Sequence, residues 1–403
     1  MLLHVSSLPG GRLGPAAHEF VDWLAEAGAT WWQVLPLGPP DDSGSPYNSA
    51  SAFAGWRGFL HAPDAEVDPA EVAAARARGA DWLPAWEAFA GAGAAEDQVR
   101  FDREWGAVRE HAARRGIRIL GDMPLYVSAG SADVRAAPAL FCTDLRAGVP
   151  PDYFAADGQL WGNPVYDWDA MAADGYRWWV ARIRRQLELA DAVRLDHFRG
   201  LSAWWGVPEG AETAREGCWR RGPRSAVVDA ARAALGREVP LVAEDLGVIT
   251  PAVDRLRMRL GLPGMRVLQF AFDGMPDNPH LPAHHPDRCV AYSGTHDNDT
   301  ARGWWDAQDR EVHDRARWIM GEWGIQDDDP VCGLVRLTLA SPARCAIVPM
   351  QDLLGLGSRA RMNTPGASEG NWAWRLSGEE LTPALAGWLR EACAAAARLA
   401  PAT

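Results

Sequence analysis

Short apolar strands that stop on a carboxylate constrain this chain more than any other feature of its sequence. The stretch from Ala192 to Gly200 reads as a buried strand, Ala192 to Leu195, that runs out of apolar residues at Asp196 and turns at Gly200. Two later runs end the same way: Val239 to Gly247 delivers Glu244, and Cys289 to Asn298 delivers His296 and Asp297. A carboxylate at the C-terminal end of a strand, with Arg194 two residues earlier on the same face, is where a (β/α)8 barrel holds its chemistry. Arg194 is expected to keep Asp196 ionised, and three carboxylates at three strand ends are expected to serve one site.

The rest of the chain alternates in the same sense. Leu2 to Val5 reads as a first strand, followed by a helix from Ala16 to Ala27 that ends at Gly28, and Trp31 to Leu37 as a second. Gly116 to Met123 makes a third, ending at Asp122; Gly264 to Phe272 and Cys345 to Met350 make the sixth and eighth, and an amphipathic helix from Thr382 to Leu399 closes the series. Strand and helix in turn predict an α/β fold, a (β/α)8 TIM barrel with helical and loop insertions at the C-terminal face of its strands. With 403 residues, one catalytic domain over 1–403 fits. From about Pro63 to Arg115 the chain is rich in Ala, Glu and Arg, with Trp82, Trp86, Phe89, Phe101 and Trp105 at helical spacing, which predicts a helical insertion. The stretch from about 150 to 166 holds Tyr153, Phe154 and Trp161 and is expected to be a lid loop, since long loops in compact domains are commonly lids.

Composition removes several classes of function. A formal net charge of -13 offers no basic excess to neutralise nucleic acid or an anionic membrane, so a neutral partner fits better. The chain contains no lysine, which excludes Schiff-base chemistry, pyridoxal phosphate and the P-loop. No cofactor and no metal is expected: His296 and Asp297 are consecutive, and such spacing does not bring three ligands to one face. Six cysteines without paired spacing, and an N-terminus without the features of a signal peptide, predict reduced thiols in a cytoplasmic protein.

Nine segments, in order along nearly the whole chain, carry a family resemblance. They are Ser6 to Gly10, Trp31 to Pro39, Ser45 to Ser49, Gly121 to Pro124, Gly158 to Pro164, Arg194 to Gly200, Ala243 to Gly247, Gly294 to Thr300 and Arg361 to Gly366. In these the chain resembles the amylomaltase, or disproportionating enzyme, family of 4-α-glucanotransferases in the α-amylase clan. The resemblance implies a retaining enzyme that cleaves an α-1,4-glucan, holds the fragment as a covalent ester on Asp196, and passes it to the 4-hydroxyl of another sugar. It implies Asp297 as a third catalytic carboxylate that binds ring hydroxyls of the donor, assisted by His296. Tyr47 and Asp122 would lie at the donor subsite, Tyr153, Phe154 and Trp161 in a lid over the acceptor, and Asn363 at the far wall. The chain departs from the family in two places: the helical region at 63–115 is cut down, and Trp56-Arg57 stands where Asn-Pro is usual.

Retention needs two carboxyl groups about 5 to 5.5 Å apart, one ionised to attack and one protonated to release the leaving sugar. Asp196 beside Arg194 suits the first role, and Glu244, among Val242, Ala243 and Leu246, suits the second because partial desolvation raises its pKa. The plain alternative for each is a strand-end residue that caps the next helix. Phe198 and Arg199 read as support for the nucleophile. Two further functions stay open at this point: a hydrolase of the same fold, in which water takes the ester, and a glucan-binding protein without catalysis. A monomer is favoured.

Overall fold

The computed structural model describes residues 1–151, 156–367 and 369–399. Its strands are β1 (Trp31–Gln33), β2 (Arg118–Met123), β3 (Phe141–Val149), β4 (Gln159–Tyr166), β5 (Ala192–Leu195), β6 (Ala203–Pro208), β7 (Cys218–Arg221), β8 (Leu241–Ala243), β9 (Gly264–Val267), β10 (Cys289–Tyr292) and β11 (Cys345–Ile347). The chain makes two compact units, one of Met1–Leu35, Ala107–Leu120 and Pro263–Thr403, the other of Pro36–Gly106 and Gly121–Leu262.

In the first unit all strand pairing is parallel. Trp31 to Gln33 pair with Arg118 to Leu120, and β10 lies between β9 and β11 with Val290 opposite Met265 and Cys345. The expected first strand is a single residue, Leu2, bridged in parallel to Gln33 and Pro349, after which Val5–Ser7 is a 3-10 turn. Helices cover these short strands for reasons visible in their sequences. Pro15–Glu26 starts with Pro at its first turn and buries Ala17, Phe20, Val21, Trp23 and Leu24, the spacing of one helical face. It is released at Gly28, whose φ of 74° a larger residue would resist. Pro383–Ala395 starts where the Thr382 hydroxyl accepts from the Leu385 N–H.

In the second unit β5 pairs in parallel with β8, Arg194 opposite Val242 and Leu195 opposite Ala243. The Asp196 N–H donates to the carbonyl of Met123, the last residue of β2, at 3.0 Å. The stretch expected to be helical contains Pro69–Arg78, Leu83–Ala90 and Ala94–Arg114. The first of these begins in a capping box between Asp68 and Glu71. Val72, Leu83, Trp86 and Val99 share a small core there, and the indole N–H of Trp105 donates to the Leu189 carbonyl at 2.8 Å.

A second sheet in this unit, in the order β4-β3-β6-β7 and antiparallel throughout, was not expected. Trp161 to Tyr166, read from sequence as the continuation of a loop, is strand paired with β3. Its first four residues, Gln159 to Gly162, are exposed and do not alternate between buried and open faces, so the period-2 signature of a strand is missing.

Candidate active site

The β5–β8 register builds the site. Because Leu195 is opposite Ala243, the next residues along the two parallel strands, Asp196 and Glu244, leave the sheet side by side, on backbones about 4.8 Å apart. The Glu244 N–H extends the ladder by donating to the Leu195 carbonyl at 3.1 Å. Both side chains therefore sit where the strands end and backbone pairing gives way to loops.

Arg194, on β5, ties Asp196 to Asp122 on β2. Its Nη1 donates to both carboxylate oxygens of Asp122, at 2.9 and 2.8 Å, and its Nη2 to Asp196 Oδ1 at 2.7 Å. The Tyr47 hydroxyl completes the chain with a bond to Asp122 Oδ2 at 2.8 Å. Pro46 and the Ser45 hydroxyl, which accepts from the Tyr47 N–H, set the 3-10 turn that aims this tyrosine. Side-chain exposure is 4% for Arg194 and 0% for Asp122 but 27% for Asp196. Of the two carboxylates on this guanidinium, only Asp196 is open to a substrate. Burial pushes the Asp122 carboxyl upward, against the pull of Arg194 and Tyr47.

Glu244 is held through the backbone. Its Oε2 accepts from the His197 N–H at 2.8 Å and its Oε1 from the Leu246 N–H at 2.9 Å. Burial raises its carboxyl to about 7, the Asp196 charge pushes the same way, and Arg194 opposes them. An acid protonated near neutrality beside a carboxylate fixed by arginine is the pair that acid-assisted displacement at a sugar carbon requires.

His197 was not singled out from the sequence, and little could have revealed it. It acts through its backbone, in the left-handed region at φ 50°, which aims its N–H at Glu244. Its ring lies edge-on to Trp161 at 4.8 Å and near Tyr126 at 6.2 Å. Among the described residues, buried His197 Nε2 and Tyr126 Oη have no hydrogen-bond partner, which suits groups that meet a polar substrate. Phe198 is fully buried as support. Arg199 instead turns away, Nη1 donating to the Val248 carbonyl at 2.6 Å.

The remaining candidates form a second constellation, in the first unit. Asp297 Oδ1 accepts from Asn363 Nδ2 at 2.7 Å and lies 3.4 Å from His296 Nε2. Arg361 Nη2 donates to the Asp297 carbonyl at 2.6 Å, and the Asn363 N–H to that of His296 at 3.0 Å. Asn363 thus fixes Asp297 through both its side chain and its backbone. His296 is buried, whereas the Asp297 side chain is 42% exposed. Tyr153 and Phe154 lie outside the described residues.

Paired carboxylates at parallel strand ends, one ion-paired and one raised, define an α/β enzyme that works on glycosidic bonds. Comparison with known proteins makes this particular. The 4-alpha-glucanotransferase family profile matches residues 3–82 and 95–382. A 4-alpha-glucanotransferase of Thermus thermophilus is 40% identical over 494 aligned positions, covering 99% of this chain and 98% of that one. One from Synechocystis is 38% identical, covering 96% and 95%. Among solved structures, an amylomaltase from Streptococcus agalactiae in complex with acarbose superposes with a TM-score of 0.87 at 30% identity, covering 99% of each chain. The chain belongs to the 4-α-glucanotransferase family, with the (β/α)8 barrel fold of its structural relatives. Among the described residues no helix is long and apolar enough to cross a membrane.

Proposed function

We propose that this transferase moves glucanosyl groups between α-1,4-glucans in two steps on one ester. Asp196 attacks the anomeric carbon while Glu244 gives its proton to the departing 4-oxygen, so that a glycosyl ester forms and the glycosidic bond breaks. In the second step the acceptor's 4-hydroxyl loses its proton to Glu244, its oxygen attacks the same carbon, and the Asp196 carboxylate is released. Two inversions give retention. Asp122, Arg194 and Tyr47 keep Asp196 in place, and Asp297, with His296 and Asn363, binds donor hydroxyls and stabilises developing positive charge. Trp161, on β4, covers the acceptor and keeps the ester from water; Tyr153 and Phe154, expected to share this role in a lid over about 150–166, lie outside the described residues.

The observation that carries this assignment is the neighbouring exit of Asp196 and Glu244 from paired strands, with Arg194 on one and a value of about 7 on the other. The net charge of -13 and the six free cysteines support work as a monomer on a neutral substrate in the cytosol. Incubation with maltotriose tests the reaction. Glucose together with a ladder of longer oligosaccharides is expected, whereas glucose and maltose alone would assign a hydrolase.

A further inference from the structure

The β6–β7 hairpin carries an aromatic surface that the chemistry above does not use. All four residues of β7 are exposed, and Trp219 among them is 42% exposed. The ring is nevertheless held firmly. The Arg199 guanidinium lies 4.0 Å from its centre, and Trp205 meets it edge-on at 5.2 Å. Arg199 is anchored to the Val248 carbonyl, and the Trp205 indole N–H to the Ala214 carbonyl at 2.8 Å. The hairpin is fastened to the turn after β5, with the Gly222 N–H on the Ser202 carbonyl at 3.0 Å and the Arg224 N–H on that of Leu201 at 2.7 Å. A side chain at Gly222 would collide with the carbonyls of Gly200 and Leu201, so only glycine lets the two segments approach this closely.

A cation against one face of an indole holds the ring in place, and 42% of Trp219 nevertheless stays open. Both ends of that support belong to the loops bearing the two carboxylates: Arg199 follows Asp196 by three positions, and Val248 follows Glu244 by four. Resting on the transferase reading above, we propose that Trp219 is a stacking platform for a glucose unit of a long α-glucan chain, away from the bond that reacts. The apolar C–H face of a pyranose matches a flat indole, and a rigid ring gains the contact at little entropic cost.

The test compares Trp219→Ala, Trp219→Phe and Trp318→Ala with the parent. Trp318, 65% exposed on the helix Arg310–Glu322, controls for loss of any surface tryptophan. Dissociation constants for maltoheptaose and maltotriose are measured by calorimetry in an Asp196→Asn background, and kcat/KM for both in the active enzyme. Trp219→Ala is expected to reduce the advantage of maltoheptaose over maltotriose several-fold in both measurements, Trp219→Phe to retain part of it, and Trp318→Ala to change neither. An unchanged advantage, or equal losses for both lengths, would overturn the platform while leaving the transferase intact. A change confined to the oligomeric state would overturn it in favour of contact with a second copy. A parent that makes no oligosaccharide ladder would instead overturn the transferase reading itself.

Discussion

Asp196 and Glu244 have the same side-chain function and different surroundings, and each prediction at this scale follows from that difference. Asp196→Asn keeps an acceptor for Arg194 but cannot form the ester, so transfer should fall by several orders of magnitude with the circular dichroism spectrum preserved. An activated fluoroglycoside should label Asp196 in the parent; label on another residue would count against it. Glu244 donates its proton only while it holds one, so activity should decline as pH rises through about 7. Glu244→Gln should remove that alkaline limb and spare the first step for donors whose leaving group needs no proton. Equal loss of both steps would contradict the acid–base role. Both carboxylates were legible in the sequence because each ends an apolar run. The backbone donors on Glu244, from His197 and Leu246, were not, since any residue can supply an N–H and only the turn's geometry aims it.

Among the elements, the parallel strands were the easiest to read and the hairpins the hardest. Strands such as Ala192–Leu195 and Cys289–Tyr292 are buried throughout and apolar but for Arg194, whereas β3 and β4 are interrupted by register shifts and the first four residues of β4 are exposed. The strands proved shorter than expected: β1 stops at Gln33 rather than Leu37, because beyond Val34, whose N–H still reaches the Leu120 carbonyl at 2.9 Å, the Leu35 N–H donates to His4 Nδ1 at 3.3 Å and Pro36 has no N–H to donate. The segment that carries Asp297 shows how a loop beyond a strand is kept in place. The buried carboxylate of Asp352 accepts from the Ser293 hydroxyl at 2.6 Å, where β10 ends, and from the Ala301 N–H at 2.7 Å, where the next helix begins. Asp352→Ala would leave both donors buried without partners and should cost about 1–3 kcal/mol or more in denaturant unfolding. Burial raises the Asp352 carboxyl to about 6. A raised value favours the folded state below the unfolded value, and that contribution is lost as pH rises through about 6. Asp352→Asn, whose amide can accept from Ala301 and donate to Ser293 Oγ, should therefore gain in melting temperature relative to the parent between pH 5 and pH 8. A constant difference across that range would exclude a titrating Asp352.

For the whole molecule, what distinguishes this chain from its relatives is what it lacks. The alignment with the Thermus thermophilus enzyme runs to 494 positions for a chain of 403 residues, so the relative carries segments with no counterpart here. The family match leaves residues 83–94 of this chain unmatched, inside the helical stretch of 63–115 for which the resemblance implies a shortening. Protein absent from the path of a long glucan cannot contribute to its affinity. Each lost ring contact removes on the order of 1 kcal/mol, several-fold in binding. The advantage of amylose over maltotriose in kcat/KM should therefore be smaller for this enzyme than for the Thermus thermophilus one assayed beside it at a temperature both tolerate. Ionic strength should leave the ratio unchanged, because neither glucan carries charge for the -13 of the protein to act on. Whatever advantage remains should shrink on substitution of Trp219, since that platform stands on the loops after β5 and β8 and not on the helical stretch of 63–115. Equal or greater amylose preference in this chain would show that the missing segments do not contribute to chain-length selection.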